Sequence, residues 1–499
     1  MRRRRGRCPR QIGDRLRIWA KHSIAIVFRH IEGWARLEEF PPDLLQAIAA
    51  AGGGQVALVI GAGCSVESPT EIPLAGALSR AVERRLVLDG VLADGECADP
   101  WNLSQLTTLV WQKTGSQSGV VTRFPLDRMR LAKPNLGYKL LVALMAEGAI
   151  SHVLSLNFDL AVQHAASDLG IEIAIIDQSG QAVPVRAALV HLHGSASGAS
   201  EAFVLREEVI DAAWRGQWEQ IVAQQILGAP VVVFVGLGSA APVLTATVDM
   251  IQSALGGNKT LYQADIGAFQ NNGFAQQLGI PEQQYVQGGW SAFLTRLAER
   301  LAASQVDALD ENGTTLLNEN GVAPGDQALF KGLVTGLRAL PLLAVGKHRA
   351  FGRLERGKLY RPHSVADDEL MSEPLLKLAQ IVEHHGLAAS PTQGGTWLIK
   401  REGRHVGQVL LATGSGTRRM AALEPRARIV CGYIEEHSFS GPDLVLIGGV
   451  ATGEALGAHV DLIADAEPGH LVDGPSGPVL LSADEPDFLH RAGELFHAA

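Results

Sequence analysis

Cysteine is scarce. The chain has four in 499 residues (Cys8, Cys64, Cys97 and Cys431), and no pair has C-x-x-C spacing. That excludes a disulfide framework and a cysteine-built zinc site, and it fits a reducing, cytoplasmic setting with no metal expected. Long apolar runs are also missing. No stretch approaches the roughly 20 residues needed to cross a bilayer, so no membrane association is expected. Positive charge is in deficit, with 43 Lys and Arg against 52 Asp and Glu for a net charge of −9. This argues against general binding to nucleic acid. The exception is local: Arg2, Arg3, Arg4, Arg5, Arg7 and Arg10 make residues 1–40 a basic arm. Ile24 to Phe28 is too short for a signal-peptide core and no small-residue cleavage site follows it, so the arm reads as a tail.

What is present is apolar and glycine-rich: 46% hydrophobic residues and 55 glycines. Such a chain is globular, and at this length two domains are expected. The organising stretch is Gln55 to Ser65, where Val56-Ala57-Leu58-Val59-Ile60 runs into Gly61-Ala62-Gly63-Cys64-Ser65. A continuous apolar run marks a strand buried on both faces. Glycines after it allow a tight turn and a close approach to phosphate. Leu74, Leu78, Val82 and Leu86 then lie on one helix face. Strand, glycine turn and helix form the geometry of a nucleotide pocket. A ligand-free turn is the alternative for this stretch alone, because Val66 stands where the dinucleotide fingerprint has its third glycine.

Further buried strands are read at His152–Leu156, Ile171–Ile176, Ala188–Leu192, Pro230–Val235 and Thr260–Ala264, alternating with helices. That alternation predicts an α/β fold with an open, doubly wound parallel sheet. Ligands in such sheets sit beyond the carboxyl ends of the strands. Four strands here end in small or polar residues: Gly61/Ser65, Asn157/Asp159, His193 and Gly236/Ser239. One crevice can collect them all. Residues 89–133 show little period, and a lid over the pocket is one reading of them.

At this point the chain resembles the sirtuin family. The matching pieces come in the family's order: GAGCS at Gly61–Ser65, IP at Ile72-Pro73, PNLGY at Pro134–Tyr138, SLNFD at Ser155–Asp159, HLHG at His191–Gly194 and GLGS at Gly236–Ser239. They span roughly residues 56 to 300. The resemblance implies a sirtuin/Rossmann-like fold with NAD+ as the bound substrate. The departures are equally specific. No cysteine lies between His193 and Gly236, where deacylating sirtuins carry a zinc ribbon, and Leu74-Ala75 replaces the family's aromatic-basic pair. This pattern resembles the zinc-free sirtuin-like proteins of prokaryotic antiphage defence, which hydrolyse NAD+ to ADP-ribose and nicotinamide. The resemblance therefore implies an NAD+ glycohydrolase that depletes NAD+. A silent nucleotide-binding sensor or assembly module is the alternative, and an NAD-dependent deacylase the less favoured third.

The chemistry fits the residues. Nicotinamide leaves as a neutral ring, so the site needs no general acid. It must stabilise a ribosyl cation and position a nucleophile. Asn157 can hold a ribose hydroxyl or water through its amide, and His193 can act as general base. Asp159 can receive the nicotinamide carboxamide. Gly61, Ala62, Gly63 and Ser65 would meet the pyrophosphate and ribose, and Gly236, Gly238 and Ser239 the adenosine side. Asp265 would hold a ribose hydroxyl or cap a helix. His191 is expected on the same side of its strand as His193.

We expect residues 41–303 to form the catalytic domain and 304–326, rich in Asn, Asp, Gly and Thr, a linker. Residues 327–499 then form a smaller α/β or α+β domain that senses a partner protein or signal, and a homo-oligomer is expected. Within that domain Pro374–His385 reads as helix. Trp397–Lys400 with His405–Leu411 reads as a hairpin, and Arg428–Ile434, Asp443–Ile447, His459–Ile463 and Val479–Leu481 as strands. Gly448 to Gly453 reads as a plain glycine turn, with a phosphate cradle as its less favoured alternative. His459, Asp461 and Asp465 read as solvated strand residues ahead of metal ligands.

Overall fold

The computed structural model describes residues 40–50, 55–177, 180–184, 187–208, 217–238, 248, 260–438, 440–451 and 477–497. The basic arm before residue 40 lies outside them, as do Ser239, His459, Asp461 and Asp465.

The first half is built on seven strands: β1 (Val56–Ile60), β2 (His152–Ser155), β3 (Ala174–Ile176), β4 (Ala188–His191), β5 (Val231–Val235), β6 (Thr260–Asp265) and β7 (Tyr285–Gln287). Their order is β3-β4-β2-β1-β5-β6-β7, and every pairing is parallel. The parallel sheet expected from the sequence is therefore present. All five residues of β1 are buried because alternate side chains feed two cores. Val56, Leu58 and Ile60 enter one face, and Ala57 and Val59 the other. That double burial is why the strand reads as an unbroken apolar run. β1 pairs with β2 on one side and β5 on the other, so the strand order reverses there. That is the switch point at which open α/β sheets bind ligands.

Among the described residues the longer helices of this half are α1 (Pro42–Ala49), α2 (Ala75–Leu88), α3 (Leu103–Thr114), α4 (Leu136–Ala146), α5 (Ala161–Leu169) and α6 (Gln217–Leu227). Residues 89–133 hold α3 and two short helices, Ser118–Val121 and Leu126–Arg130.

Helix α7 (Trp290–Glu319) then runs for 30 residues. This corrects the linker expected at 304–326: residues 304–319 are the second half of α7, and α8 (Pro324–Leu337) starts five residues after it ends. Gln305, Val306, Gly313 and Leu317 are buried along it. Gly313 is a contact rather than a break, since a Cβ there would lie 2.5 Å from Phe330 Cζ.

After α9 (Leu342–Gly352) and α10 (Val365–His384) comes a second sheet of β8 (Ala388–Pro391), β9 (Trp397–Arg401), β10 (Arg404–Thr413), β11 (Leu444–Gly448) and β12 (Val479–Ser482). Its order is β12-β11-β10-β9-β8, with β10, β11 and β12 parallel and β8, β9 and β10 antiparallel. The expected hairpin is β9–β10. Arg428–Ile434 is not a strand; it lies inside α11 (Met420–Ser438). Leu423, Ala427, Val430, Cys431 and Ile434 form that helix's buried face against Leu410, Ala412, Val445 and Ile447. Helix α12 (Phe488–His497) closes the other face.

Candidate active site

A cavity of about 960 Å³ lies beyond the carboxyl ends of β1, β2, β4 and β5. That is the upper end of the ~300–1,000 Å³ range typical of small-molecule sites. Gly61, Ala62 and Ser65 line it after β1; Asn157 and Asp159 after β2; His193 after β4; Gly236 and Gly238 after β5. Loops far apart in the chain thus meet around one space. Asn102, Ser104 and Met129 add a wall from residues 89–133.

Two expected residues do not line it. Asp265 Oδ1 accepts the Gly267 N–H at 2.8 Å, so this carboxylate shapes a turn. Gly63 faces the β5 loop: its N–H donates to Gly236 O at 3.0 Å, and a Cβ there would lie 2.8 Å from Gly236 Cα. Gly61 is similarly constrained, since its Cβ would meet Gly236 O at 2.7 Å. The Gly-x-Gly pattern is therefore required by close packing of the β1 and β5 loops, before any ligand enters. Cys64 is buried beneath them, and burial pushes its thiol well above the usual range, as a packing residue requires.

Asn157 is 7% exposed. Its Nδ2 donates to Gly61 O at 2.9 Å, Ser65 Oγ at 3.1 Å and Tyr138 Oη at 3.3 Å. Gly61 O can only accept, so the amino group faces inward and the carbonyl Oδ1 is the atom left for a ligand. Ser65 Oγ donates to Asp159 Oδ2 at 2.7 Å and lies 2.7 Å from Tyr138 Oη. Asp159 Oδ1 accepts the Ala161 N–H at 3.1 Å. Burial raises the Asp159 carboxyl above its ordinary value, opposed by the Ser65 and Ala161 hydrogen bonds.

Tyr138 carried no role in the sequence reading beyond its place in PNLGY. It is held in the first turn of α4 by the Asn135 cap, whose Oδ1 accepts from Tyr138 N at 3.1 Å and from Trp290 Nε1 at 3.1 Å. Asn135 Nδ2 donates to Cys64 O at 2.9 Å, tying α4 to the β1 loop. Gly137 is required here, because a Cβ would lie 2.2 Å from Trp290 Nε1.

The two histidines of HLHG have different neighbours. His191 is buried, with Nδ1 3.1 Å from Asn157 O and Nε2 2.8 Å from Gln163 Nε2. The Gln163 amide donates, so the His191 proton sits on Nδ1 and supports the Asn157 backbone. Burial lowers the His191 pKa from its usual value. His193 is half-buried at the cavity, and its Nε2 is buried without a hydrogen-bond partner. Burial alone pushes its imidazole down to about 4. Among the described residues no group of three or more His, Cys, Asp or Glu is placed to hold a metal.

The His193 shift has a stability consequence. The unfolded imidazole titrates near 6.5 and the folded one near 4, so the unfolded chain binds the extra proton first. Stability is full above pH 6.5 and falls as the pH drops toward 4. Wild-type protein is expected to lose about 2 kcal/mol more than His193→Gln across that window, read as melting midpoints at pH 7 and pH 4.5. Equal acid sensitivity of the two proteins contradicts a buried, neutral His193.

The fold and the cavity together define an open α/β domain with a ligand site at its switch point. No protein-family model matches the sequence, and no match is found among curated proteins. Among solved structures the chain is similar to a Sir2 homologue in complex with NAD, at 16% identity and a TM-score of 0.29, covering 52% of this chain and 92% of that one. An ADP-ribose complex of a Sir2 homologue variant gives 16%, 0.30, 52% and 96%. A Sir2 enzyme solved for mechanism and regulation gives 12%, 0.30, 52% and 95%. Similarity at this level fixes neither family nor function.

Proposed function

We propose that this protein binds NAD+ in the cavity at the β1/β5 switch point and hydrolyses the nicotinamide–ribose bond to ADP-ribose and nicotinamide. One observation carries the reading: the Asn157 side chain, whose hydrogen bonds are all made by its amino group, and the His193 ring, whose Nε2 has no partner, line the same cavity. A packed core has little use for a buried imidazole nitrogen left without a partner.

The residues present suit the ligand. The described lining includes Asp159 and Glu207 but no Lys or Arg, so among the described residues backbone N–H groups are what can meet a pyrophosphate. Helix α2 supplies them: its N-cap Leu74 makes no side-chain cap, and Pro73, Leu74, Ala75 and Gly76 all line the cavity. Asn157 Oδ1 accepts from a ribose hydroxyl or water, and its partial negative charge faces the positive charge that develops at the anomeric carbon. The His193 ring, neutral at physiological pH, takes the proton of the attacking water. Asp159 keeps one lone pair on each oxygen beyond its bonds to Ser65 and Ala161, which leaves an acceptor for the carboxamide.

NAD+ depletion as an antiphage response, with residues 327–499 sensing the trigger, follows from this reading as its physiological form. The test is incubation of the full chain with NAD+ and measurement of nicotinamide and ADP-ribose in equal amounts. Tight nucleotide binding without turnover, in every oligomeric and partner-bound state tried, would replace the hydrolase by a sensor.

A further inference from the structure

The hydrogen-bond directions around Asn157 can be worked out from the acceptors. Ser65 has one hydroxyl proton, and it goes to Asp159 Oδ2 at 2.7 Å. Tyr138 Oη, 2.7 Å from Ser65 Oγ, must then donate to it. Tyr138 Oη also accepts from Asn157 Nδ2 at 3.3 Å, and Ser65 Oγ accepts from the same amide at 3.1 Å. The Asn157 amino group is thus held between a backbone carbonyl and two hydroxyls, all buried. Every proton in the cluster has an acceptor. The arrangement has one polarity, set by the carboxylate at its end.

We propose that Tyr138 is a positioning residue for the cleavage step: its hydroxyl fixes the plane of the Asn157 amide so that the carbonyl points at the anomeric carbon. This rests on the reading of Asn157 as the group facing that carbon. Tyr138 does not line the cavity and touches no substrate. It acts through Asn157 directly and through Ser65. Its own position is fixed from behind by Asn135 and Trp290, whose ring stacks edge-on against the Tyr138 ring with centroids 5.5 Å apart. The phenol is therefore a rigid backstop. Gly61 O and Ser65 Oγ already hold the amino group, and the Tyr138 hydroxyl adds a third contact that narrows the amide's last torsion, which is broad for asparagine.

A purely structural role predicts something different. In Tyr138→Phe no buried donor is left unpaired: the Asn157 amino group keeps Gly61 O and Ser65 Oγ, and Ser65 keeps Asp159. The ring and its packing remain. Stability should change little. Positioning, in contrast, enters the rate, where a misplacement of a fraction of an ångström costs about ten-fold.

The experiment compares full-length wild type, Tyr138→Phe, Ser65→Ala and the double variant for nicotinamide release, ADP-ribose affinity and melting midpoint. Tyr138→Phe is expected to lower kcat about ten-fold, with KM and ADP-ribose affinity within two-fold of wild type and the melt unchanged. Ser65→Ala removes the bridge but leaves the direct Tyr138–Asn157 contact, so the double variant should be slower than either single variant while losing less than the product of the two, because both act on one amide. Full kcat in Tyr138→Phe overturns the proposal. So does a parallel loss of ADP-ribose affinity, or losses that multiply in the double variant. If Tyr138→Phe does not fold, Tyr138→Met takes its place, with unchanged kcat overturning the proposal and a kcat loss at constant KM sustaining it; Ser65 itself lines the cavity, so Ser65→Ala counts only in one direction, unchanged kcat overturning the proposal. Wild-type protein that releases no nicotinamide removes both the hydrolase reading and this role, whereas wild-type turnover with unaffected variants removes only the role.

Discussion

Asn157→Ala is expected to lower kcat for nicotinamide release by about 10²–10³-fold while leaving the protein folded and able to bind ADP-ribose. The magnitude is that of removing one preorganised dipole from a water-poor site. The amide is oriented before substrate arrives, by Gly61 O, Ser65 and Tyr138, so no reorganisation is needed as charge develops. Binding survives because the helix α2 N-terminus and the β5 loop meet the rest of the nucleotide in this reading. Steady-state kinetics with isothermal ADP-ribose binding separates the two effects. A variant that retains more than about a tenth of the wild-type kcat would mean that another group faces the anomeric carbon. His193→Ala then serves as the companion test, because the same cavity contains no second imidazole among its described lining residues.

Arg349→Ala is expected to produce the largest loss of stability in the molecule, about 3–5 kcal/mol. Glu147 directly follows α4 and is almost wholly buried. Its Oε1 accepts from Arg349 Nη2 at 2.8 Å and from the Tyr360 hydroxyl, and its Oε2 from the His363 N–H at 3.0 Å. Arg349 further donates to Gln305 Oε1 at 3.1 Å and to Arg361 O at 2.9 Å. One guanidinium therefore joins the end of α4, the middle of α7 and the segment before α10. Truncating it strands a carboxylate in the interior. Removing both charges together, as in Glu147→Leu with Arg349→Met, should recover much of the loss, because burying an ion pair is costly in itself. Thermal melts of the three proteins check this. A single-variant loss under about 1 kcal/mol would show that the pair is solvated in solution.

Much of the first sheet was legible because strands buried on both faces are continuous apolar runs. β7, three residues long, is too short to leave such a trace. Arg428–Ile434 was misread as a strand because Ile429 and Val430 are β-branched, while the helical spacing of Leu423, Ala427, Val430 and Ile434 shows only over a longer window. The expected linker failed for a related reason. Asn, Asp, Gly and Thr favour turns locally, yet packing against α8 and α10 makes residues 304–319 helical. At the cavity, Asn157 and His193 are legible in the sequence as polar residues at strand ends, and the structure places both in its lining. Tyr138 is not: a tyrosine in a helix's first turn looks like any core aromatic, and its contacts with Ser65 and Asn157 arise only where α4, the β1 loop and the β2 loop converge. The glycines of Gly61-x-Gly63 were found for the right turn, but part of their cause is the neighbouring loop at Gly236.

Helix α7 has a consequence for anyone wishing to cut this gene. At 1.5 Å per residue its 30 residues extend about 45 Å. Trp290, at one tip, braces the asparagine that caps α4, and Val306 and Leu317, toward the other, are sealed under Phe330 and Leu375. A stop codon placed near residue 303 would therefore sever a continuous rod and lay bare the greasy flank beneath it. The first half should be insoluble when made alone.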